Sequence, residues 1–166
     1  MEPLFINRHI RDEAVYKEVY RSHFFSPFMI LLLSLAALTY ISSLVLAIMG
    51  QDILYENLII VPVALGVIFL SYRLRLSTAI KRDKEQFGQP PTIICEVSQT
   101  GIRIGADGHF SQEVPFSGFR RAKETKHLIL LFSRARLVYI FHKDGFVKGS
   151  VPEFNRFLWE NNLRIR

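Results

Sequence analysis

Five histidines and a single cysteine are where metal or nucleophilic chemistry would start in this chain: His9, His23, His109, His127, His142 and Cys95. Metal sites need side chains that converge, and sequences signal this by recurrent spacings such as His-Glu-x-x-His on one helix face. None of the five histidines has such a companion, and each reads as a surface or strand residue. One cysteine excludes an intrachain disulfide and a multi-cysteine metal site. Cys95 lies in the strand-like run TIICEVS, where a small buried hydrophobe is expected rather than a reactive thiol. Gly101, Gly105 and Gly108 are spaced by four and three, which is not the dinucleotide fingerprint and fits turns. No G-x-S-x-G elbow occurs. No catalytic residue, metal ligand or cofactor is assigned, and the expectation is a non-enzymatic protein.

The one concentration of charge able to carry function is Arg120, Arg121, Lys123 and Lys126. On a strand, Arg121 and Lys123 share one face, with Arg120 and Lys126 on the other. Such a set suits anionic lipid headgroups, at about 1 kcal/mol per cation near a charged membrane, or an acidic protein surface. The competing reading is a solvated edge strand whose charges prevent edge-to-edge aggregation. Nucleic acid is not expected, because no RNP-like aromatic pair or recognition helix accompanies the charges.

The elements that must position this cluster are dominated by an apolar run. From Phe28 to Met49 there is no Asp, Glu, Lys, Arg, His, Gly or Pro. About 20 such residues at helical rise cross a bilayer core about 30 Å thick. A soluble helix of this length would show a polar stripe, whereas this run has only scattered Ser34, Thr39, Ser42 and Ser43. A second run, Leu58 to Tyr72, contains Pro62 and Gly66, tolerated in bilayer helices, and ends at Arg73 and Arg75. Together they predict a transmembrane helical hairpin. The connection GQDILYEN carries Asp52 and Glu56 and no cation, while Lys17, Arg21, Arg73, Arg75, Lys81, Arg82 and Lys84 flank the other ends. Lys and Arg stay on the cytoplasmic side, so both termini are expected in the cytoplasm. The 26 residues before the first run carry several charges, unlike a cleaved signal, so the first helix is expected to be retained.

Outside the hairpin (27–76) the chain divides into an N-terminal juxtamembrane segment (1–26), a helical extension and linker (77–91), and a soluble domain (92–166). Leu4, Phe5 and Ile6 could form a strand whose partner the sequence does not name. From Arg11, Val15 with Val19 and Tyr16 with Tyr20 recur at four, and Glu13, Lys17 and Arg21 form a charged ladder. This amphipathic helix can lie at the headgroup level or pack on the soluble part. The second span is expected to continue to Phe87-Gly88 before Pro90-Pro91.

Residues 92–166 hold 12 Lys and Arg against 7 Asp and Glu, most of the overall +6. Their pattern changes to period two. Ile93, Cys95 and Val97 share a face, Ile102 and Ile104 point inward, and Asp107-Gly108 is a hairpin turn signal. HFSQEVPF returns as a strand and FRRAKETK is a polar strand. HLILLF and RLVYIF form a hairpin closed at Ser133 to Ala135, with Leu128, Leu130 and Phe132 facing Leu137, Tyr139 and Phe141; Lys143-Asp144-Gly145 turns again. Ser150 and Glu153 have capping-box spacing before a last helix in which Phe154, Phe157 and Leu158 cover the sheet. Five or six short antiparallel strands and one covering helix make an α+β domain behind a membrane α-helical hairpin.

The succession VSQTGIRI, EVPFSGFRRAKETKHLILLF, RLVYIFHKDGF and a helix with Phe154 and Leu158 resembles the YcxB-like family of bacterial membrane proteins. Val114-Pro115-Phe116 stands where that family has Ile-Pro-Trp, and His142-Lys143 with Phe146 stands where it has Pro-Lys and an aromatic. The resemblance implies two transmembrane helices followed by a small antiparallel PH-like sheet with a C-terminal helix, in the bacterial inner membrane. It implies no catalytic or ligand residue. Two functions follow as expectations. In the first, the cytoplasmic domain binds a protein partner or anionic lipid headgroups, with the hairpin as anchor and a homo-oligomer open to it. In the second, a small membrane immunity or regulatory protein acts through its spans.

Overall fold

The first apolar run is one uninterrupted helix. The computed structural model describes residues 2–25, 27–50, 55–106 and 109–164. In chain order the elements are β1 (Phe5–Ile10), α1 (Glu13–Phe24), α2 (Pro27–Ile48), α3 (Tyr55–Phe87), β2 (Thr92–Val97), β3 (Gly101–Ala106), β4 (His109–Phe110), β5 (Val114–Pro115), β6 (Phe119–Glu124), β7 (Leu128–Ser133), β8 (Val138–His142), β9 (Phe146–Lys148) and α4 (Val151–Glu160). The expected Asp107-Gly108 turn and Asp52 of the connection lie outside the described residues. The chain forms two compact units, one of Met1–Glu18 with Asp83–Arg166 and one of Val19–Arg82.

The helical unit holds α2 and most of α3. At 22 residues, α2 is about 33 Å long at 1.5 Å per residue. Its polar side chains are spent on its own backbone: Ser34 donates to the Ile30 carbonyl, Thr39 to Ala36, Ser42 to Leu38 and Ser43 to Thr39. A hydroxyl satisfied in this way needs no water, which is what an apolar surrounding demands. Nearly all the apolar surface of both helices is unburied, with Leu31, Leu38, Ile48, Ile59 and Phe69 open along their length. Both are long and apolar enough to cross a membrane. The second helix contains Pro62. It ends where the sequence places its stop: Gly88 takes a positive φ of 70° and its N–H returns to the Lys84 carbonyl.

In the other unit, two antiparallel sheets enclose one core. The larger runs β4-β3-β2-β1-β9, with β5 also on β3, and the smaller runs β6-β7-β8. The N-terminal strand that sequence left without a partner is interior to the larger sheet, antiparallel to β2 on one side and β9 on the other. Phe5, Asn7 and His9 alternate into the core. From β2 come Ile93, Cys95 and Val97, and from the smaller sheet Phe119, Ala122, Ile129, Leu131, Tyr139 and Phe141. The last helix closes the core with Phe154 and Leu158, Phe154 lying 4.7 Å from the Phe141 ring centroid and 5.4 Å from that of Phe5. It stops in a glycine-free version of the Schellman turn. Asn162 sits at φ 61°, its N–H reaches Trp159, and the Leu163 N–H reaches Leu158, with Leu163 tucked into the core.

Four local expectations are corrected. The β7–β8 hairpin pairs Ile129 with Phe141, Leu130 with Ile140 and Leu131 with Tyr139, one residue away from the expected register. The cause is the turn, which is longer than Ser133 to Ala135: Arg136 takes φ 63°, and the Ser133 N–H and Oγ both engage Leu137. HFSQEVPF is not one strand but the two short pieces β4 and β5. Gly105 pairs with Phe110 and Ile102 with Val114, so one side carries an extra residue and the ladder breaks around Ser111. The described residues after 91 therefore hold eight short strands rather than five or six. At α4 the capping box is replaced by a side-chain bond, Ser150 Oγ donating to Glu153 at 2.7 Å, and the Ser150 side chain accepts no first-turn N–H.

Candidate functional site

The basic cluster lies on β6, the outer strand of the smaller sheet, and on the turn that follows it. Phe119 and Ala122 anchor this strand in the core. They are three residues apart, not two, because the register against β7 slips between Phe119 and Arg121. Arg120 is the extra residue of that bulge, and both Arg120 and Arg121 are exposed. The simple alternation expected for the four cations therefore holds for Arg121 and Lys123 and not for Arg120. The Arg121 guanidinium lies 4.5 Å from the centre of the Phe132 ring on β7, which supports it in an extended pose. Lys126 is exposed in the turn before β7.

Two carboxylates shape this edge. Glu124 at the end of β6 is paired with Lys143 at 2.7 Å, and Lys143 also donates to the Thr125 carbonyl. The negative charge nearest the cluster is thus already compensated. Glu18, on α1, receives the Thr125 hydroxyl at 2.6 Å and the His127 backbone N–H at 2.8 Å. These two bonds bracket Lys126 and hold the turn against α1. Burial works to raise the Glu18 pKa, but the bonds from His127 and Thr125, with His127 and His142 nearby, outweigh it and set it below the ordinary carboxylate value. Sequence reasoning missed Glu18, since a lone acid on a charged helix carries no signal of a partner more than 100 residues away.

Two further titratable groups, His9 and Cys95, are interior. His9 is buried on β1, with Nδ1 3.3 Å from Asn7 Oδ1 and Nε2 without a hydrogen-bond partner among the described residues. Burial, followed by the positive influence of His142 and Arg11, lowers its pKa to about 4, so it is neutral near pH 7. Cys95 is fully buried, its Sγ 3.4 Å from the Ile140 carbonyl oxygen, and burial pushes its pKa up to about 12. A thiol in that state is neither nucleophile nor ligand. The rings of His127 and His142 stack at 6.4 Å. Among the described residues no three His, Cys, Asp or Glu side chains are grouped to hold a metal ion. A shallow polar cleft is lined by Pro3, Glu96, Ser98, Arg103 and Glu113. Its groups satisfy one another, Arg103 on Glu96 at 2.5 Å and Ser98 on Glu113 at 2.6 Å.

The stretch from the end of β2 through the basic edge and the β7–β8 hairpin to the covering helix is similar to one known family. Residues 97–158 match the YcxB-like protein family. The YcxB-like segment therefore contains the whole basic cluster, the smaller sheet and most of α4, and two long apolar helices precede it. The strand β1, with Asn7 and His9, lies before the matched residues although it completes the same core. No curated protein and no solved structure matches the chain.

Proposed function

We propose that this chain is a membrane-anchored, non-enzymatic binding protein of the bacterial cytoplasmic membrane. Its α2–α3 hairpin crosses the bilayer, both termini stay in the cytoplasm, and a PH-like unit is presented to a protein or lipid-headgroup partner. The observation that carries this reading is the coupling of two helices with almost wholly unburied apolar surfaces to a YcxB-like segment. A soluble protein rarely leaves so much contiguous apolar surface in water. The cations flanking the hairpin and the acids of its connection support the orientation. Two antiparallel sheets closed by a C-terminal helix support the PH-like description. Binding rather than catalysis is supported by the chemistry of the interior, where, among the described residues, the Cys95 thiol and the His9 imidazole are buried and held neutral.

The test uses the full chain. It is expected in the membrane fraction after an alkaline carbonate wash, and reporters fused at either end should read cytoplasmic. A purified chain that stays monomeric and dissolved in detergent-free buffer overturns the reading. In-cell cross-linking then compares the native chain with one whose spans are replaced by neutral Leu/Ala helices. Capture retained by the replacement places recognition in the β-unit, whereas its loss moves recognition to the spans, as an immunity or regulatory protein would require.

A further inference from the structure

We propose that Arg120, Arg121 and Lys126 form a docking face for the anionic phospholipid headgroups of the bilayer that holds this chain's own hairpin. The inference rests on the membrane-anchored reading and adds the ligand and the residues.

Three observations favour lipid over an acidic protein. First, the turn is tethered. Glu18 holds Thr125 and His127 on either side of Lys126, and only eight residues separate Glu18 from Pro27, the first residue of α2. Even fully extended, that length is about 30 Å. A surface on such a short leash meets the bilayer as an intramolecular event, so weak contacts suffice without the entropic cost of recruiting a partner. Second, the face has charge and no apolar anchor. Among the described residues, the exposed large apolar side chains of this unit are Leu4, Ile10, Phe110, Leu137, Val147 and Trp159, none of them on β6 or its turn. Protein interfaces depend on a buried aromatic or aliphatic hot spot, whereas headgroup attraction needs only cations. Third, among the described residues no acid pairs with Arg120, Arg121 or Lys126. Glu124, the acid on this strand, is neutralised by Lys143, and the bulge turns Arg120 and Arg121 outward together, with Arg121 braced on Phe132. The bulge also spoils β6 as a template for an added peptide strand, which removes the commonest way a protein would use a free sheet edge.

The experiment places the full chain, labelled with a donor dye at Ser117→Cys three residues before Arg120, in nanodiscs carrying a headgroup-linked acceptor. One set is pure phosphatidylcholine and the other is phosphatidylcholine with phosphatidylglycerol at 7:3. Buried Cys95 leaves the introduced thiol as the labelling site. Energy transfer should rise in the phosphatidylglycerol discs and fall back at high salt. In the triple variant R120Q/R121Q/K126Q it should stay at the phosphatidylcholine level. Each cation should contribute roughly fivefold to the docking equilibrium constant, and the three together about a hundredfold. Equal transfer in both lipids, or a triple variant that behaves like the native chain, overturns the proposal. So does a triple variant with unchanged transfer but abolished cross-linking to a cellular protein, which assigns the face to that protein. Failure to enter either disc would instead sink the anchoring reading, so the two failures are distinguishable. Unchanged thermal unfolding of the triple variant checks that the sheet is intact.

Discussion

The side-chain amide of Asn7 bonds both backbone groups of His142: Nδ2 donates to the His142 carbonyl oxygen at 2.7 Å, and Oδ1 accepts the His142 N–H at 3.1 Å. An amide so placed does for the end of β8 what a neighbouring strand would do, and it links the larger sheet to the smaller one in the buried interior. Asn7→Leu keeps the approximate volume and removes both bonds, leaving a buried N–H and C=O without partners. The expected loss is about 2–5 kcal/mol of stability in the β-unit. Chemical denaturation in detergent would measure it; a midpoint equal to that of the native chain would show that water or a shifted backbone replaces the amide.

Next to this link, Gly145 has no room for a side chain. A Cβ there would stand 2.6 Å from the Arg8 carbonyl oxygen and 3.2 Å from Asn7 Oδ1. Gly145→Ala must therefore push the turn away from β1, at about 1–3 kcal/mol, with the damage concentrated on the Asn7 bonds. Amide exchange should accelerate at His142 and along β1, and unaltered protection there would refute the close contact.

These two residues mark what sequence could and could not show. Regular runs were legible: both apolar helices, the stop at Gly88, the inward faces of β2 and β3 and the apolar side of α4 all follow from spacing. Registers that depend on a single turn residue were not. Arg136 in the left-handed region shifts the β7–β8 pairing by one, and the bulge at Arg120 breaks the alternation of the basic strand. Long-range polar pairing was invisible for a different reason. The run FINRHI alternates correctly, but period two reads Asn7 and His9 as poor core residues, and only the return of β8 and the following turn from more than 130 residues away supplies the partner for Asn7. The basic cluster was legible as composition, whereas its support by Phe132, Glu18 and Lys143 required the fold.

His9 should make stability fall on mild acidification. Its folded pKa is about 4 against an ordinary 6.5, so between those values the unfolded chain binds a proton that the folded chain refuses. Stability is therefore full above about pH 6.5 and declines as pH falls towards 4, by up to about 3 kcal/mol. Glu18 adds a loss in the same direction at lower pH, because its folded pKa lies below the usual carboxylate value. His9→Phe should flatten the upper window and leave the lower one. If denaturation midpoints of the native chain are level from pH 7 to 5, the imidazole is not held neutral.

Cys95 should be silent towards thiol reagents in the folded protein. It is fully buried with its pKa pushed up to about 12, so the thiolate that attacks a maleimide is all but absent and the reagent has no path to it. Mass spectrometry after a short exposure should find no adduct in mild detergent and one adduct after denaturation. Rapid labelling of the folded chain would mean that β2 opens readily.

Asp83, near the end of α3, joins Arg11 before α1 and Tyr16 in its first turn through one carboxylate oxygen. Oδ2 accepts Arg11 Nε at 2.8 Å and the Tyr16 hydroxyl at 2.5 Å, while Arg11 Nη2 also lies 2.8 Å away. The Arg11 guanidinium in turn stands 5.7 Å from the centre of the Tyr16 ring. Because the Arg11 guanidinium and the Tyr16 hydroxyl share one acceptor and are half-buried, their contributions should not add. Asp83→Asn removes the charge that both donors converge on, and about 1–3 kcal/mol of stability should go with it. Tyr16→Phe made in that background should then cost much less than in the native chain, giving a coupling of about 1 kcal/mol. A double-mutant cycle read by thermal unfolding decides between this cooperative tie and independent contacts, for which the single losses would simply sum.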